Sequence, residues 1–399
     1  MKILIHTDEY YPTAQACAYR MQILAEAFLA QGNEVTVITS SANLNGANLS
    51  CRNEKIIYSP TIKMKKKTTI MRLLNNVSFA ISSVFSAMKV GKIDVVITTS
   101  PPPLISIAGW LIAKLKGAKL VYDVRDIWPD VALEMGSFSK NSIYDKVFSF
   151  IANFMYKHAD WITTVSPGKV EKIKLHLQQM GDSVLSSGKV KLVANGFDEN
   201  ILNNSIDDSL VKQYQLDGKF TCVYIGNIGL AQGLGCLLDV AEKFQNQDLQ
   251  FLIFGKGAEK ELLEQKAKDK NLTNIHFCGI LPHEKVFTIL SKAKISFIPL
   301  KSSNMKDSVP TKIYEALGIG CPVLLVAEGD SCDIVNESKL GICISPDNIR
   351  NLSCAFGNMV KNYESYIRKK EFAKELMRVR YSRQEIARQF EKELHKLVD

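Results

Sequence analysis

The strongest constraint on the fold is a pattern that the chain shows twice: short apolar runs alternate with stretches of helical periodicity. In the first half, apolar runs of strand length occupy residues 3–5, 34–39, 94–98, 120–123, 161–165 and 191–194. Helical stretches lie between most of them, such as residues 14–31, which place Met21, Leu24 and Phe28 on one face. This alternation is typical of a parallel sheet with helices on both faces.

A polar break separates the two halves. Residues 195–198 (NGFD) have turn chemistry and residues 200–218 are polar. The alternation then restarts, with strand-like runs at residues 220–225, 249–254, 275–278, 295–299, 323–326 and 342–344. Because 399 residues exceed the ~250–300 that one core usually supports, we expect two doubly wound α/β domains, residues 1–199 and residues 200–379.

The last stretch, about residues 380–399, has the pattern of an amphipathic helix. Its apolar residues recur at helical spacing behind Ser382, a residue type that caps helix N-termini; they are Ile386, Phe390, Leu394 and Leu397. A helix with one apolar stripe has to bury it, and the first domain is the candidate partner.

Composition and cysteine usage indicate a cytoplasmic globular protein. Hydrophobic residues make up 46% and charged residues 23% of the chain. The nine cysteines are odd in number and lack a C-x-x-C pair, so we expect free thiols rather than a disulfide framework or a zinc site. The N-terminus has the pattern of a strand rather than a signal peptide, and no apolar stretch approaches the ~20 residues of a membrane span.

Residues 52–72 are strongly basic. They hold seven Lys/Arg and one Glu, with a core at residues 63–67 (KMKKK), in a chain of net charge +9. This predicts an anionic partner, or else a solvated loop; nucleic acid is disfavoured because no interleaved aromatics or known binding motif accompany the run. The apolar residues that follow, from Ile70 to Met88, fit either a segment lying on a bilayer or the core face of a helix.

Ligands of open α/β sheets bind beyond the carboxyl ends of the strands, and three strand ends of the first half carry polar and aromatic groups. These are residues 6–12 (HTDEYYP), 99–103 (TSPPP) and 123–130 (DVRDIWPD). The third holds three carboxylates, a guanidinium and an indole, which suits either a ligand site or a salt-bridged turn. No G-x-G-x-x-G follows the first strand and no Walker A sequence occurs, which disfavours a dinucleotide enzyme.

Glycine-rich loops follow the first two strands of the second half, at residues 226–233 (GNIGLAQG) and 255–257 (GKG). Glycines allow close approach of a ligand to the backbone, and a following helix N-terminus favours an anion. In residues 307–315 (DSVPTKIYE), Pro310 suits the first turn of a helix, where Lys312 and the helix dipole can both act on a phosphate. Glu315 lies on the same face and can accept two ribose hydroxyls; an exposed ion pair is the alternative.

At these motifs the chain resembles the family-4 retaining glycosyltransferases, which have the GT-B fold. More narrowly it is similar to the branch that builds bacterial O-antigen and capsule and includes N-acetylfucosamine transferases. The resemblance spans nearly the whole chain and is carried by residues 122–130, 226–233, 307–323, and 164–166 with 195–198. It implies two Rossmann-like domains facing each other across a cleft, with the last helix crossing back to the first domain.

The resemblance also implies residue roles. The second domain would bind the nucleotide sugar through Gly226, Asn227, Gln232, Gly233, Gly255, Lys256, Asp307, Thr311, Lys312 and Glu315. The first domain would bind the acceptor through Tyr11, Arg20, Ser100, Arg125 and Asp126. Asp126 and Lys312 are the catalytic candidates, since Lys312 would stabilise the leaving diphosphate and Asp126 would orient the acceptor.

The implied activity is retaining transfer of a sugar, with N-acetylfucosamine or a related acetamido sugar as the candidate. The donor would be UDP-linked and the acceptor an undecaprenyl-diphosphate-linked saccharide in O-antigen, capsule or lipopolysaccharide synthesis. The enzyme would be held at the inner face of the plasma membrane by residues 52–72. No cofactor and no metal are expected, because the nucleotide sugar is a substrate.

Three departures from the wider family keep alternatives open. Arg125 stands where that family has His, residues 13–16 (TAQA) replace a Gly-Gly pair, and Asn227 and Gln232 replace an Arg and a Lys on the diphosphate. Lys312 is then the main cation for the leaving group, with Lys256 as a possible helper. A non-catalytic partner subunit and a non-hydrolysing sugar-nucleotide epimerase remain as alternatives.

Overall fold

The computed structural model describes residues 1–13, 16–44, 52–62, 68–134, 136–181 and 186–398. The chain divides into two compact units, the first formed by Met1–Asn195 with Gln384–Asp399 and the second by Gly196–Arg383. Each unit is built around one parallel sheet.

The sheet of the first unit has seven parallel strands in the order β3-β2-β1-β4-β5-β6-β7. The strands are β1 (Lys2–His6), β2 (Glu34–Ser40), β3 (Lys55–Ser59), β4 (Val95–Ser100), β5 (Lys119–Val124), β6 (Trp161–Thr164) and β7 (Val190–Leu192). The connecting helices are α1 (Ala16–Ala30), α2 (Thr69–Met88), α3 (Pro103–Lys116), α4 (Asp130–Glu134), α5 (Ile143–His158), α6 (Pro167–Gln179) and α7 (Ser186–Lys189).

Two apolar layers cover the faces of this sheet. One layer joins the sheet to α2, α3, α5 and α6, and Phe79 is fully buried in it. The other joins the opposite face to α1 and to the terminal helix, which spans Arg383–Val398. Phe390 and Leu394 of that helix are buried against Met21 and Phe28 of α1 in this layer. The terminal helix therefore belongs to the first unit, and its apolar stripe is buried there.

The second unit has a six-stranded parallel sheet in the order β10-β9-β8-β11-β12-β13. Its strands are β8 (Phe220–Ile225), β9 (Leu249–Phe254), β10 (Ile275–Gly279), β11 (Ile295–Pro299), β12 (Val323–Val326) and β13 (Gly341–Ile344). Its helices are α8 (Asp208–Gln213), α9 (Cys236–Lys243), α10 (Lys260–Asp269), α11 (His283–Lys292), α12 (Thr311–Ile319), α13 (Asp330–Ser338), α14 (Leu352–Lys361), α15 (Tyr363–Ile367) and α16 (Lys370–Arg380); the terminal helix is α17.

The basic segment differs from its prediction. Residues 55–59 form the edge strand β3, paired in parallel with β2. A short Ile-Ile-Tyr run suits a strand, but because lysines flank it, the sequence predicted a charged loop instead. The core of the segment, residues 63–67, lies outside the described residues.

The expectation of free thiols throughout is wrong for one pair. Cys332 in α13 and Cys343 in β13 form a disulfide, with their Cα atoms 5.6 Å apart. Both sulfur atoms lie within 3.3 Å of the Ala327 carbonyl oxygen, because β13 turns back directly after α13 and pairs with β12. The cysteine spacing carried no signal for this pairing. Six other cysteines in the described ranges are free, namely Cys17, Cys222, Cys236, Cys278, Cys321 and Cys354.

Among the described residues, no helix is both long enough and apolar enough to span a membrane.

Candidate functional site

Each sheet has one point where its strand order reverses, and this point places the candidate residues. In the second unit, β9 and β10 lie on one side of β8, and β11, β12 and β13 lie on the other. In the first unit the reversal falls between β1 and β4. Because open α/β sheets bind ligands outside the carboxyl ends of the strands at such points, the loops after β8 and β11, and after β1 and β4, are the candidate sites.

The two glycine loops of the second unit pack on each other. A Cβ added at Gly255 would lie 1.8 Å from the Gly226 carbonyl oxygen, and one at Gly257 would lie 2.1 Å from that of Ile228. The Ile228 amide donates to the Lys256 carbonyl at 2.9 Å. The glycines at 255 and 257 are therefore required by loop-on-loop packing, a reason different from the close approach of a ligand that the sequence suggested.

Gly226 makes room for the ammonium of Lys312. A Cβ at Gly226 would lie 2.6 Å from Lys312 Nζ, and the backbone there has φ of 148°, which favours glycine. The same ammonium lies 4.2 Å from the ring centroid of Tyr224, whose hydroxyl donates to the Asn227 carbonyl. Lys312 of α12 is thus brought beside the first residue after β8.

Burial lowers the pKa of Lys312 to about 8, and the nearby carboxylate of Glu315 offsets part of that decrease. The charge on this lysine is consequently sensitive to an anion beside it. A bound phosphate would supply the counter-charge that the protein provides only in part.

The Glu315 carboxylate has a partner that sequence reasoning missed. His283, the first residue of α11, holds its Nε2 3.9 Å from Glu315 Oε1, and interaction with that carboxylate raises its pKa. Burial would raise the pKa of Glu315, but His283, Arg383 and Lys312 outweigh it and keep that pKa below its usual range. Glu315 is therefore an ionised acceptor at neutral pH. The sequence did hold one signal for this residue: His283 begins the helix that follows β10, at the same edge of the sheet.

Helix α12 begins at Thr311, with Pro310 as its N-cap and no side-chain cap. Pro310 therefore precedes the first turn that it was predicted to occupy. With no capping side chain, the first turn of α12 presents amide groups toward the loops. Asp307, 7% exposed, lies in the loop that leads into this helix.

The predicted donor-loop side chains are partly used within the loop itself. The Gln232 side-chain oxygen accepts from the Gly229 amide at 3.2 Å and from Asn227 Nδ2 at 3.4 Å. Gly233 packs against Lys301: a Cβ added at Gly233 would lie 3.1 Å from the Lys301 Cα. Lys256 is exposed between its two glycines. The structure thus gathers Gly226, Lys312 and Glu315 by direct contact or charge. It places Thr311 at the start of α12 and the other predicted donor residues in the surrounding loops.

Alanine at position 226 is expected to displace Lys312 rather than unfold the protein. The new methyl group would clash with the free end of a flexible side chain, while the positive φ adds strain of about 1–2 kcal/mol. We expect Gly226→Ala to weaken nucleotide binding at least fivefold, with only a modest loss of thermal stability. Isothermal titration with UDP, beside a melting curve, checks this; unchanged affinity would show that the position of Lys312 is not used.

In the first unit, Arg20 is buried in an ion pair. Its Nη2 lies 2.9 Å from Asp123 Oδ1, which also accepts from Thr163 Oγ1 at 2.7 Å. The guanidinium reaches the Ala194 carbonyl and Asn195 Oδ1 as well, each at 3.3 Å. Arg20 is only 6% exposed. Arg20, a predicted acceptor-binding residue, thus links α1 to β5 and to residues 194 and 195. Its direct contact with an acceptor stays a prediction.

Arg125 and Asp126 follow β5 at the same edge. The Lys169 ammonium lies 3.3 Å from Asp126 Oδ1 and donates to the Arg125 carbonyl at 2.7 Å. The Asp126 side chain remains 45% exposed, so one oxygen is oriented by Lys169 while the carboxylate stays accessible. Arg125 donates to the Pro101 carbonyl, and its Nε is buried without a hydrogen-bond partner within the described ranges.

Asp8 completes this cluster and was not singled out from the sequence. It follows β1, and its Oδ1 is buried with no hydrogen-bond partner in the part of the chain that the structure describes. Burial and the charge of Glu9 raise the pKa of Asp8 to about 7, against the opposing charge of Arg125. An acidic and a basic side chain, Asp8 and Arg125, thus flank the end of β4, and each has one buried polar atom that makes no hydrogen bond among the described residues.

The remaining acceptor candidates lie nearby. Ser100 is the last residue of β4 and is buried. Tyr11 lies in the loop after β1; its ring faces the Arg52 guanidinium at 5.6 Å and its carbonyl accepts from Tyr58. His6 has a structural role, since both ring nitrogens are bonded to buried hydroxyls and burial lowers its pKa to about 3.

Across the described residues, no group of three or more His, Cys, Asp or Glu side chains is arranged to hold a metal ion.

Comparison with known proteins finds relatives that belong to one class of enzyme. A relative in Escherichia coli K12, the putative colanic acid biosynthesis glycosyl transferase WcaI, is 25% identical over 374 residues, 88% of this chain and 90% of its own. The 2-deoxystreptamine N-acetyl-D-glucosaminyltransferase of Niallia circulans is 25% identical over 172 residues, 42% of this chain and 43% of its own.

Solved structures agree on the fold. Anabaena HepE in complex with UDP has a TM-score of 0.75 at 14% identity, covering 99% of this chain and 100% of that one. Sucrose-phosphate synthase from Thermosynechococcus elongatus has a TM-score of 0.80 at 17% identity, with 100% and 99% covered. The predicted class, two Rossmann-like parallel-sheet domains of the GT-B kind, is confirmed.

Two family models together cover most of the chain. Residues 18–200 match the model described as Glycosyltransferase Family 4, and residues 207–376 match Glycosyl transferases group 1. The first match contains the Arg125–Asp126 cluster, and the second contains Gly226, Lys312 and Glu315. The chain therefore consists of a glycosyltransferase family 4 domain followed by a glycosyl transferase group 1 domain.

Proposed function

We propose that this protein is a retaining glycosyltransferase that moves an acetamido sugar from a UDP-linked donor to a lipid-linked saccharide in envelope polysaccharide synthesis. The second unit would hold the donor and the first unit the acceptor. O-antigen and capsule repeat units, and N-acetylfucosamine among the acetamido sugars, are the specific candidates.

One observation carries the donor half of this proposal: Lys312 Nζ lies against Gly226 at the strand-order reversal of the second sheet. A diphosphate placed beside Gly226 would meet that ammonium and the uncapped first turn of α12, both of which favour negative charge. Glu315, three residues further along α12, is ionised and can accept the two hydroxyls of a ribose. These groups suit the diphosphate and the ribose of a nucleoside diphosphate.

The choice of donor rests on the relatives. HepE was crystallised with UDP and with UDP-glucose, which supports uridine as the base. The Niallia circulans relative is named for transfer of N-acetyl-D-glucosamine, which supports an acetamido sugar. WcaI is named for colanic acid biosynthesis, which supports an acceptor that belongs to an envelope polysaccharide.

The reaction we propose breaks the bond from the sugar C1 to the diphosphate oxygen and forms a bond from C1 to the acceptor oxygen on the same face. The acceptor hydroxyl proton passes to the departing diphosphate, so charge and atoms balance. Lys312 and the α12 amides stabilise the charge that develops on the leaving group. The protein contributes positioning and electrostatics, and no covalent intermediate on a side chain is needed.

The acceptor would meet the cluster after β1, β4 and β5. Among the described residues, Arg125 Nε and Asp8 Oδ1 are buried without a hydrogen-bond partner, so a hydroxyl that reached them could accept from the first or donate to the second. Asp126, fixed by Lys169 and still accessible, is the candidate for orienting the sugar that carries the reacting hydroxyl.

Nucleotide-dependent thermal stabilisation tests the donor site. We expect UDP, among the common nucleoside diphosphates, to raise the melting temperature of the wild type, because a ligand that binds the folded state stabilises it by mass action. The shift should be lost in Glu315→Ala, which removes the ribose acceptor. Glu261→Ala, an exposed carboxylate in the first turn of α10, is the matched control and should keep the full shift.

The other outcomes each assign a different function. Two results together would support transfer: UDP stabilises the protein, and a UDP-sugar releases UDP only when a saccharide acceptor is added. Conversion of a UDP-sugar to its epimer without an acceptor would assign an epimerase instead. Absence of any nucleotide effect in the wild type would contradict the donor site and favour a non-catalytic partner subunit.

A further inference from the structure

Helix α2 exposes an apolar stripe along its whole length. Seven apolar residues on it are between 39% and 71% exposed, namely Ile70, Leu73, Leu74, Val77, Ile81, Phe85 and Met88. They recur every three or four residues, so they share one side of the helix. The opposite side carries Phe79, which is fully buried on the sheet. At ~1.5 Å per residue this twenty-residue helix presents a stripe about 30 Å long.

Two further helices, α3 beside α2 and α5 beside α3, add exposed apolar residues to this stripe. α3 packs against both α2 and α5, with Trp110 of α3 edge-on to Phe154 of α5 at 4.9 Å. On the outer side of α3, Leu111 and Leu115 are 39% and 53% exposed. On α5 the exposed apolar residues are Ile143, Tyr144, Val147 and Phe150, with Phe150 at 69%. We call these thirteen side chains the α2–α3–α5 face.

Positive charge accompanies this face. The three helices contain five basic residues and one acidic residue: Arg72, Lys114, Lys116, Lys146 and Lys157 against Asp145. Asp145 is occupied, since it accepts from the Asn141 amide. Lys89 and Lys92 follow α2 and are exposed, although the Lys92 ammonium lies 3.5 Å from Asp94 Oδ1. By contrast, Arg52 of the basic segment is bound to Glu54 and Glu26 and is not free for an external anion.

Apolar side chains among lysines fit an anionic bilayer better than a second protein. The cores of protein–protein interfaces are depleted in lysine, whereas surfaces that lie on membranes pair apolar anchors with lysines that meet lipid phosphates. Thirteen exposed apolar side chains on three helices packed in series are unusual for a monomer without a partner. Exposed apolar residues of the second unit, such as Leu262 and Val379, are scattered by comparison.

We propose that the α2–α3–α5 face inserts its apolar side chains into the surface of an anionic lipid bilayer, with the surrounding lysines on the lipid headgroups. Under this proposal, both interpretations that the sequence left open for the residues after the basic run apply: α2 has a core side and a lipid side. The inference rests on the proposed function only in that a lipid-linked acceptor gives the contact a purpose.

Vesicle flotation tests the face without any sugar transfer. The probe is vesicles of phosphatidylcholine with phosphatidylglycerol as the anionic lipid, compared with phosphatidylcholine alone. We expect the wild type to float with anionic vesicles and the triple variant Ile81→Ser, Phe85→Ser, Phe150→Ser to bind at least about tenfold more weakly. All three side chains are exposed, so the variant should melt like the wild type.

The matched control is Leu262→Ser, Phe372→Ser, Val379→Ser, which removes three comparably exposed apolar side chains from the second unit and should bind normally. A second arm, Lys89→Gln, Lys92→Gln, Lys114→Gln, should weaken binding most at low salt.

Two outcomes would overturn the proposal: equal flotation of the triple variant and the wild type, or a wild-type dimer in light scattering that becomes monomeric in the triple variant without vesicles. Because no donor is present, failure of this test is separate from failure of the proposed transfer.

Discussion

Alanine in place of Lys312 is expected to lower kcat for sugar transfer by a factor of about 10²–10³, the usual loss when one group stabilising a developing negative charge is removed. The ammonium is held between the Tyr224 ring and Gly226. Initial rates with saturating UDP-sugar and acceptor measure the effect. Lys243→Ala, an exposed lysine at the end of α9, is the control and should retain wild-type kcat.

The pH dependence separates a charge role from a packing role for Lys312. Its pKa of about 8 means that the ammonium is charged below that pH and progressively neutral above it. UDP affinity of the wild type should therefore fall as pH rises above about 8, and the fall should level off at the higher pKa that the ammonium has beside bound phosphate. Lys312→Met, which keeps the stem but not the charge, should bind weakly and lack this fall. A Lys312→Met variant with the same pH profile as the wild type would assign the titration to another group.

The fold was predictable where the local signals were strong. Strand-length apolar runs with polar ends located both sheets, because a strand buried on two faces has to be apolar throughout. The edge strand β3 was not predicted, because an edge strand needs less apolar sequence and this one lies among lysines. The terminal helix was placed by its stripe at Phe390 and Leu394, which demanded burial.

The candidate site was predictable only for groups that lie within one motif. Lys312 and Glu315 share one turn of α12, so their spacing revealed them. His283 and Asp8 depend on which helix and strand ends become neighbours, and no local spacing encodes that. Gly255 has a further reason to be glycine that no local spacing reveals, since the Gly226 carbonyl lies against it.

Removing Arg20 is expected to destabilise the first unit by about 3–5 kcal/mol, because it leaves the buried carboxylate of Asp123 without its ion-pair partner. Burial would raise the pKa of Asp123, yet Arg20 and Thr163 hold it below its usual range. Arg20→Met keeps the volume of the stem and removes the charge. At about 2–4 °C per kcal/mol for a unit of this size, the melting temperature should fall by roughly 6–20 °C.

A double-mutant cycle and a pH series identify the cause. Asp123→Asn combined with Arg20→Met should cost less than the sum of the single variants, since no unpaired charge remains. In Arg20→Met the pKa of Asp123 rises above its unfolded value, so the folded state binds the extra proton and the deficit should shrink as pH falls from 7 toward 5. Kinetics then settle the predicted acceptor role: a variant with wild-type melting temperature but a raised KM for acceptor would show that Arg20 binds substrate, and that the ion pair is dispensable for the fold.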